Sequence, residues 1–118
     1  MSTDSPFHAL TTLDELDAVL ERAQDTPIVL YKHSRICPLS ARMQEEVARL
    51  DQPSDPPVYR VVIQDARPVS DAIANRLGVR HESPQVLVVY DDAVLHDASH
   101  GRISAEDLRT HSTLAAHD

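Results

Sequence analysis

The residue with the clearest capacity for chemistry is Cys37, the only cysteine in the chain. It lies within Pro27–Leu50, PIVLYKHSRICPLSARMQEEVARL, a stretch whose pattern changes halfway. Ile28, Val29, Leu30 and Tyr31 form an apolar run of strand length, whereas Leu39, Met43, Val47 and Leu50 recur at helical spacing. Cys37 therefore falls at a strand-to-helix junction. Pro38 follows it, and proline is favoured in the first turn of a helix, where a missing N–H costs nothing. A sulfur at a helix N-terminus meets unpaired backbone N–H groups and the positive end of the helix dipole, and both favour a negative charge. No Asp or Glu occurs between Asp25 and Glu45, while Lys32, Arg35 and Arg42 do, with His33 as a fourth cation when protonated. These surroundings predict a thiol pKa below the ordinary value of about 8.5, and the thiolate is the reactive form. A lone cysteine also serves as a small buried hydrophobe, so the case for reactivity rests on position.

Length and composition bound what such a thiol can be part of. The 118 residues predict one domain, 1–118, with residues 1–10 and 115–118 expected to be flexible. A single cysteine excludes an internal disulfide framework and a thiolate-rich zinc site. His33, His96 and His100 match no metal-motif spacing, so no metal is expected. The formal charge of −8 argues against nucleic acid or an anionic membrane surface as a bulk partner. The opening MSTDSPFHAL has neither the basic flank nor the apolar core of a signal peptide. No apolar run approaches the ~20 residues of a membrane span. The expectation is a cytoplasmic protein.

Several elements must position the cysteine. Thr12-Leu13-Asp14-Glu15 has the form of a capping box, and Leu13, Leu16, Val19, Leu20 and Ala23 mark one apolar face of a first helix. After the Cys37 helix, DQPSDPP at 51–57 is a loop, and Val58–Ile63 is a strand. That strand is expected to lie parallel to the first in a right-handed βαβ unit. Val69, Ile73 and Leu77 give a shorter third helix, with Gly78 placed to end it in the left-handed conformation. Val86–Tyr90 is a third strand, Asp91-Asp92 a tight turn, and Ala93–His96 its hairpin partner. Ser104-Ala105-Glu106-Asp107 opens a last helix.

The order α-βαβ-α-ββ-α is that of an α/β thioredoxin-like fold, a four-stranded mixed sheet flanked by helices. In that fold a proline directly before the third strand is cis and lies against the active-site sulfur. The residue before it offers backbone hydrogen bonds to a bound peptide or thiol. Here those residues are Pro84 and Ser83.

Lys32-His33-Ser34-Arg35-Ile36-Cys37-Pro38-Leu39-Ser40, together with Arg67-Pro68-Val69-Ser70 and His81-Glu82-Ser83-Pro84-Gln85, resembles the monothiol bacilliredoxins, the YtxJ-like family. Ser99-His100-Gly101 resembles the family's stretch after the hairpin. The likeness runs from about Pro27 to Ile103, and it departs at Ile36, where the family usually carries Thr. It implies an enzyme that removes bacillithiol, a thiol of cysteine, glucosamine and malate, from mixed disulfides on client proteins. Bacillithiol is then a co-substrate, and no bound cofactor is expected. Cys37 would be the nucleophile. Ser40 stands where a resolving cysteine usually sits, so an external thiol must complete the cycle.

The remaining assignments follow from that resemblance. Lys32, Arg35 and Arg42 would stabilise the thiolate and hold the malate carboxylates, unless they are solvated surface cations. Ser40 would hydrogen-bond the sulfur or satisfy the first helical turn. Pro38 and Arg67 would line the substrate side, with Arg67 on a carboxylate. Ser70 matches a family position but also fits a plain helix cap. His81, Ser83 and Pro84 would line the groove, although a structural contact between His81 and Glu82 is the alternative. Two further functions stay open: a glutaredoxin-like reductase serving another small thiol, and a non-catalytic redox sensor or binding module of the same fold.

Overall fold

Six consecutive buried residues, Ile28–His33, form the central strand of a five-stranded sheet in the computed structural model, which describes residues 6–116. The elements in chain order are β1 (Phe7–Ala9), α1 (Leu13–Arg22), β2 (Ile28–His33), α2 (Pro38–Val47) and β3 (Val58–Val62). Then come α3 (Arg67–Leu77), β4 (Gln85–Tyr90), β5 (Ala93–Ser99), a 3-10 turn at His100–Arg102, and α4 (Ala105–Ala116). Strand order is β1-β3-β2-β4-β5, parallel from β1 to β2 and antiparallel beyond. This is the α/β mixed sheet expected, with one strand more.

The alternation of side chains along β2 divides the core in two. Ile28 and Leu30 pack on one face with Leu16 and Val19 of α1 and Val69 and Ile73 of α3. Val29 and Tyr31 pack on the other with Val47 of α2 and Leu108 of α4. Each fully buried side chain of this size stabilises by roughly 1.5–3 kcal/mol, so both faces are strongly specified. The same alternation continues past the apolar run. Lys32 follows Leu30 onto the α1/α3 face, and His33 follows Tyr31 onto the α2/α4 face.

The four-stranded sheet expected from the sequence is corrected by β1. Phe7, His8 and Ala9 pair in parallel with Val58, Tyr59 and Arg60, and Leu10 N–H donates to the Arg60 carbonyl at 3.0 Å. Leu10 is buried in the α1/α3 core, and Phe7 lies between the Tyr31 ring and the Arg60 guanidinium. The stretch 7–10 is therefore ordered rather than flexible, and residues 1–5 lie outside the described residues. Three residues containing a histidine are too short for periodicity to reveal them as a strand. At the other end, Ala115 is buried within α4, so fraying does not begin there; residues 117 and 118 lie outside the described range.

Local signals account for the ends of the other elements. The Thr12 side chain accepts from the Glu15 N–H at 3.1 Å, and the Glu15 carboxylate accepts from the Thr12 N–H, closing the capping box. Gly78 ends α3 with φ +65°, a conformation in which a Cβ is strained. α3 has 11 residues against 10 in α1 and α2, so it is not the shorter helix expected. It begins two residues before Val69, because Pro68 fits its first turn. Asp91 and Asp92 both take positive φ, 53° and 65°, as a two-residue hairpin turn requires. Among the described residues, no helix is long and apolar enough to cross a membrane.

Candidate active site

Cys37 is the N-cap of α2. Its backbone is extended (φ −102°, ψ 116°), Pro38 occupies the first turn, and its carbonyl accepts from the Ala41 N–H at 3.2 Å. The sulfur is partly exposed. Its pKa lies below the ordinary thiol value, chiefly because the Ser40 N–H points at it. Partial burial opposes that effect, while the Ser40 hydroxyl and the Leu39 N–H add to it. The thiolate is thus held by the open first turn of a helix, as its sequence position predicts.

Ser40 is wholly buried, and its Oγ also accepts from the Ser34 N–H at 3.3 Å. One hydroxyl therefore joins the turn after β2 to the helix that carries the nucleophile. The Ser40 carbonyl is held from below: the Tyr31 hydroxyl donates to it at 3.2 Å and lies 2.8 Å from His33 Nδ1. A phenol has one proton, so with that proton on the Ser40 carbonyl, His33 donates from Nδ1 to the phenol oxygen. Burial pushes the Tyr31 pKa far up, keeping it neutral, and pushes that of His33 down, with Arg60 and Arg35 adding to the fall. His33 is a buried neutral ring here.

None of the cations expected around the sulfur contributes to its lowered pKa. Lys32 is wholly buried on the opposite face of the sheet, with Nζ 3.1 Å from His81 Nδ1. It is not a surface cation for the thiolate, because side-chain alternation on β2 turns it toward α3. Arg35 forms an ion pair with Asp65 at 2.6 Å, and both side chains are half exposed. Arg42 is exposed on α2. The lowered pKa of Cys37 comes from N–H and O–H donors, not from these charges.

The structure brings together a second group of the expected residues. Ser70 Oγ lies 3.4 Å from the same His81 nitrogen that Lys32 approaches. Ser70 is buried inside α3 and is not its cap, since the N-cap position is Ala66. His81 meets Lys32 and Ser70, while Glu82 faces Arg80 at 3.9 Å and His100 at 3.7 Å. The Ser83–Pro84 bond is cis, and the Pro84 carbonyl accepts from the His100 N–H at 2.9 Å. The 3-10 turn is thereby tied to the loop before β4. Arg67 is exposed at the first residue of α3.

β2 ends, β4 begins and β5 ends at the same edge of the sheet, with Lys32 opposite Gln85 and Gln85 opposite Ser99. Cys37, the cis-proline loop and the 3-10 turn therefore share that edge. A depression of about 440 Å³ there is lined by Glu82, Ser99, His100, Gly101 and Arg102. Another depression, about 470 Å³, lies at the other edge among Pro27, Pro53, Pro56, Pro57 and Ser112, away from the sulfur. Ile36, beside Cys37, is 83% exposed. Two contributions to the site carry no sequence signal of their own, the Tyr31 hydroxyl and Gln64. Gln64 donates to Ser34 Oγ at 2.9 Å and accepts from the Arg35 N–H at 3.2 Å. It follows β3, the parallel neighbour of β2, and that adjacency is the one clue to its position.

Comparison with known proteins agrees with this arrangement. The family model described as monothiol bacilliredoxin BrxC matches residues 8–108. A solved structure, provisionally described as an oxidoreductase with a thioredoxin fold, is 28% identical with TM-score 0.79, covering 88% of this chain and 91% of that one. A thioredoxin from Trypanosoma brucei brucei is 10% identical with TM-score 0.73, covering 100% and 98%. A mutant thioredoxin from Halobacterium salinarum is 15% identical with TM-score 0.70, covering 97% and 95%. The last two bear on the fold alone.

Proposed function

The chain belongs to the monothiol bacilliredoxin family and is a thiol oxidoreductase of thioredoxin fold; from that premise we propose that it removes bacillithiol from client proteins. The observation that carries this reading is Cys37 alone at the start of α2. Ser40, whose N–H and hydroxyl lower the Cys37 pKa, stands where a dithiol enzyme would carry a second cysteine.

The chemistry follows from that arrangement. The Cys37 thiolate attacks the bacillithiol sulfur of a client mixed disulfide. A new S–S bond joins Cys37 to bacillithiol, the old bond breaks, and the client cysteine leaves as a thiolate that takes a proton from water. With no second cysteine, Cys37 cannot close an internal disulfide. A second bacillithiol thiolate then attacks the mixed disulfide, releasing Cys37 and forming bacillithiol disulfide. The client thiol is restored, one free bacillithiol is consumed, and it ends in a disulfide with the bacillithiol that the client carried. The lowered Cys37 pKa serves both steps, since it raises the thiolate fraction for attack and makes Cys37 the better leaving group.

Intact mass spectrometry of the reduced protein mixed with a bacillithiolated client tests this, with Cys37→Ala and a glutathionylated client alongside. Transfer of bacillithiol to Cys37, followed by release on adding free bacillithiol, is the expected result. Equal or better transfer of glutathione would move the assignment to another small thiol. No transfer of either would replace the enzyme with a redox sensor.

A further inference from the structure

Resting on the reading that the loop before β4 faces a mixed-disulfide substrate, we infer that Lys32 is a positioning residue for His81. Its buried ammonium fixes His81 as the neutral Nε2–H tautomer, so the exposed edge of the ring offers substrate a hydrogen-bond donor.

A lysine side chain is rarely buried without a reason, because its long stem normally lets the amine reach water. Lys32 is wholly buried, and its Nζ ends 3.1 Å from His81 Nδ1. An ammonium has donors only, so Nδ1 must accept and carries no proton. A neutral imidazole has one N–H, which then sits on Nε2. Ser70 Oγ, at 3.4 Å from Nδ1, closes the same side of the ring. His81 itself is exposed. Its inner edge is thus committed to the protein and its outer edge is left to solvent or ligand.

The charges around the pair favour the same assignment. Ordinary alkylammonium and imidazolium pKa values, about 10.4 and 6.5, place a shared proton on lysine. Burial lowers both groups. For His81, Lys32 adds to the fall, and so does Arg67 of α3, while Asp71 and Glu82 oppose it. Asp71 also favours the charged form of Lys32. Gln85, opposite Lys32 in register, keeps a buried Oε1 without a partner. Its Nε2 donates to the Arg80 carbonyl at 2.9 Å and so holds the backbone next to His81. Lys32 therefore acts on the loop from beneath, through the ring, and never meets substrate itself.

Long-range proton–nitrogen NMR of histidine-labelled protein tests the inference, with His81→Gln assigning the signal. The wild-type ring near neutral pH should show Nε2–H with a bare, hydrogen-bonded Nδ1, and this needs no variant to fold. Lys32→Met should give mixed tautomers and a higher ring pKa, while Lys32→Arg, also donor-only, should keep the wild-type signature. With bacillithiolated client, Lys32→Met should raise KM several-fold and leave the rate of Cys37 alkylation unchanged. A wild-type ring that is Nδ1–H or protonated overturns the inference, as does an unchanged tautomer in Lys32→Met. A changed tautomer with unchanged KM overturns the substrate role. The NMR result does not depend on bacillithiol transfer, so its failure is distinguishable from failure of the enzymatic reading.

Discussion

Two faces of one strand end do opposite electrostatic work. On the α2 face, Tyr31 and His33 hold the turn that carries Cys37, and that turn favours an anion with backbone N–H groups and a hydroxyl. On the α3 face, Lys32 holds His81 and places a cation beneath the cis-proline loop. The residues are consecutive, 31 to 33, so alternation alone sends them to different loops. The contrast teaches that a cation near a thiolate in sequence need not act on it in space. Local N–H donors at a helix N-terminus suffice, and the lysine is free for another task.

The strongest attack on this contrast is Ser40→Ala. It removes the hydroxyl, the lesser of the two Ser40 donors that lower the Cys37 pKa. The Ser40 N–H, the larger cause, survives the substitution. The midpoint of Cys37 ionisation should therefore rise without losing the whole of its depression. Thiolate absorbance or iodoacetamide rate against pH reads it directly. An unchanged midpoint would mean that the hydroxyl serves only Ser34.

Next in size is Tyr31→Phe, which leaves the ring in the core and removes only the hydroxyl. His33 Nδ1 and the Ser40 carbonyl each lose a partner in a buried setting. Leaving a buried polar group unpaired costs about 1–3 kcal/mol, so thermal unfolding should move down by several degrees. The Cys37 midpoint should move less than in Ser40→Ala, because Tyr31 acts on the sulfur only through the turn. A larger shift than in Ser40→Ala would show that the phenol, not the helix turn, sets the thiolate.

A third test compares the two histidines. His33 and His81 both have pKa values pushed below 6.5, primarily by burial, and His96 shares this. Between the folded values and 6.5, the unfolded chain binds more protons than the folded one. Stability is therefore full above about pH 6.5 and is lost as pH falls through the folded values. Glu46 and Asp55, depressed below 4.5 and 3.8, lose their contributions only at lower pH. The thermal midpoint should decline below pH 6.5, before the carboxylates titrate, and both His33→Asn and His81→Gln should flatten that decline. A flat profile across this window would mean that neither ring is held neutral.

The sequence made the Cys37 side more legible than the Lys32 side. A proline after a cysteine at a change of period locates a helix start, and backbone N–H groups come with any helix start. Gly78, the Asp91-Asp92 turn and the Thr12–Glu15 box were readable for the same reason, since each is a local backbone requirement. The burial of Lys32 is not legible because the apolar run Ile28–Tyr31 does not say where burial stops, and the strand continues two residues further to His33. Gln64 depends on a neighbour 30 positions away, Ser34, which one-dimensional patterns do not carry. β1 is not legible because its partner, β3, lies beyond three other elements.

The smallest expected effect is the sharpest check on the contrast. Arg35 is two residues from Cys37, and composition suggests it as a thiolate partner. Its guanidinium instead meets Asp65 at 2.6 Å, with both side chains about half exposed. Such a surface pair is worth about 0–1 kcal/mol and weakens with salt. Its positive charge is also largely offset by the carboxylate beside it. Arg35→Ala should therefore leave the Cys37 ionisation midpoint nearly unchanged and barely move thermal stability, while Asp65→Ala, which frees the cation, should lower the midpoint slightly at low salt. If Arg35→Ala instead raised the midpoint as far as Ser40→Ala does, the thiolate would be held by side-chain charge, and the division of labour across β2 would fail at its first term.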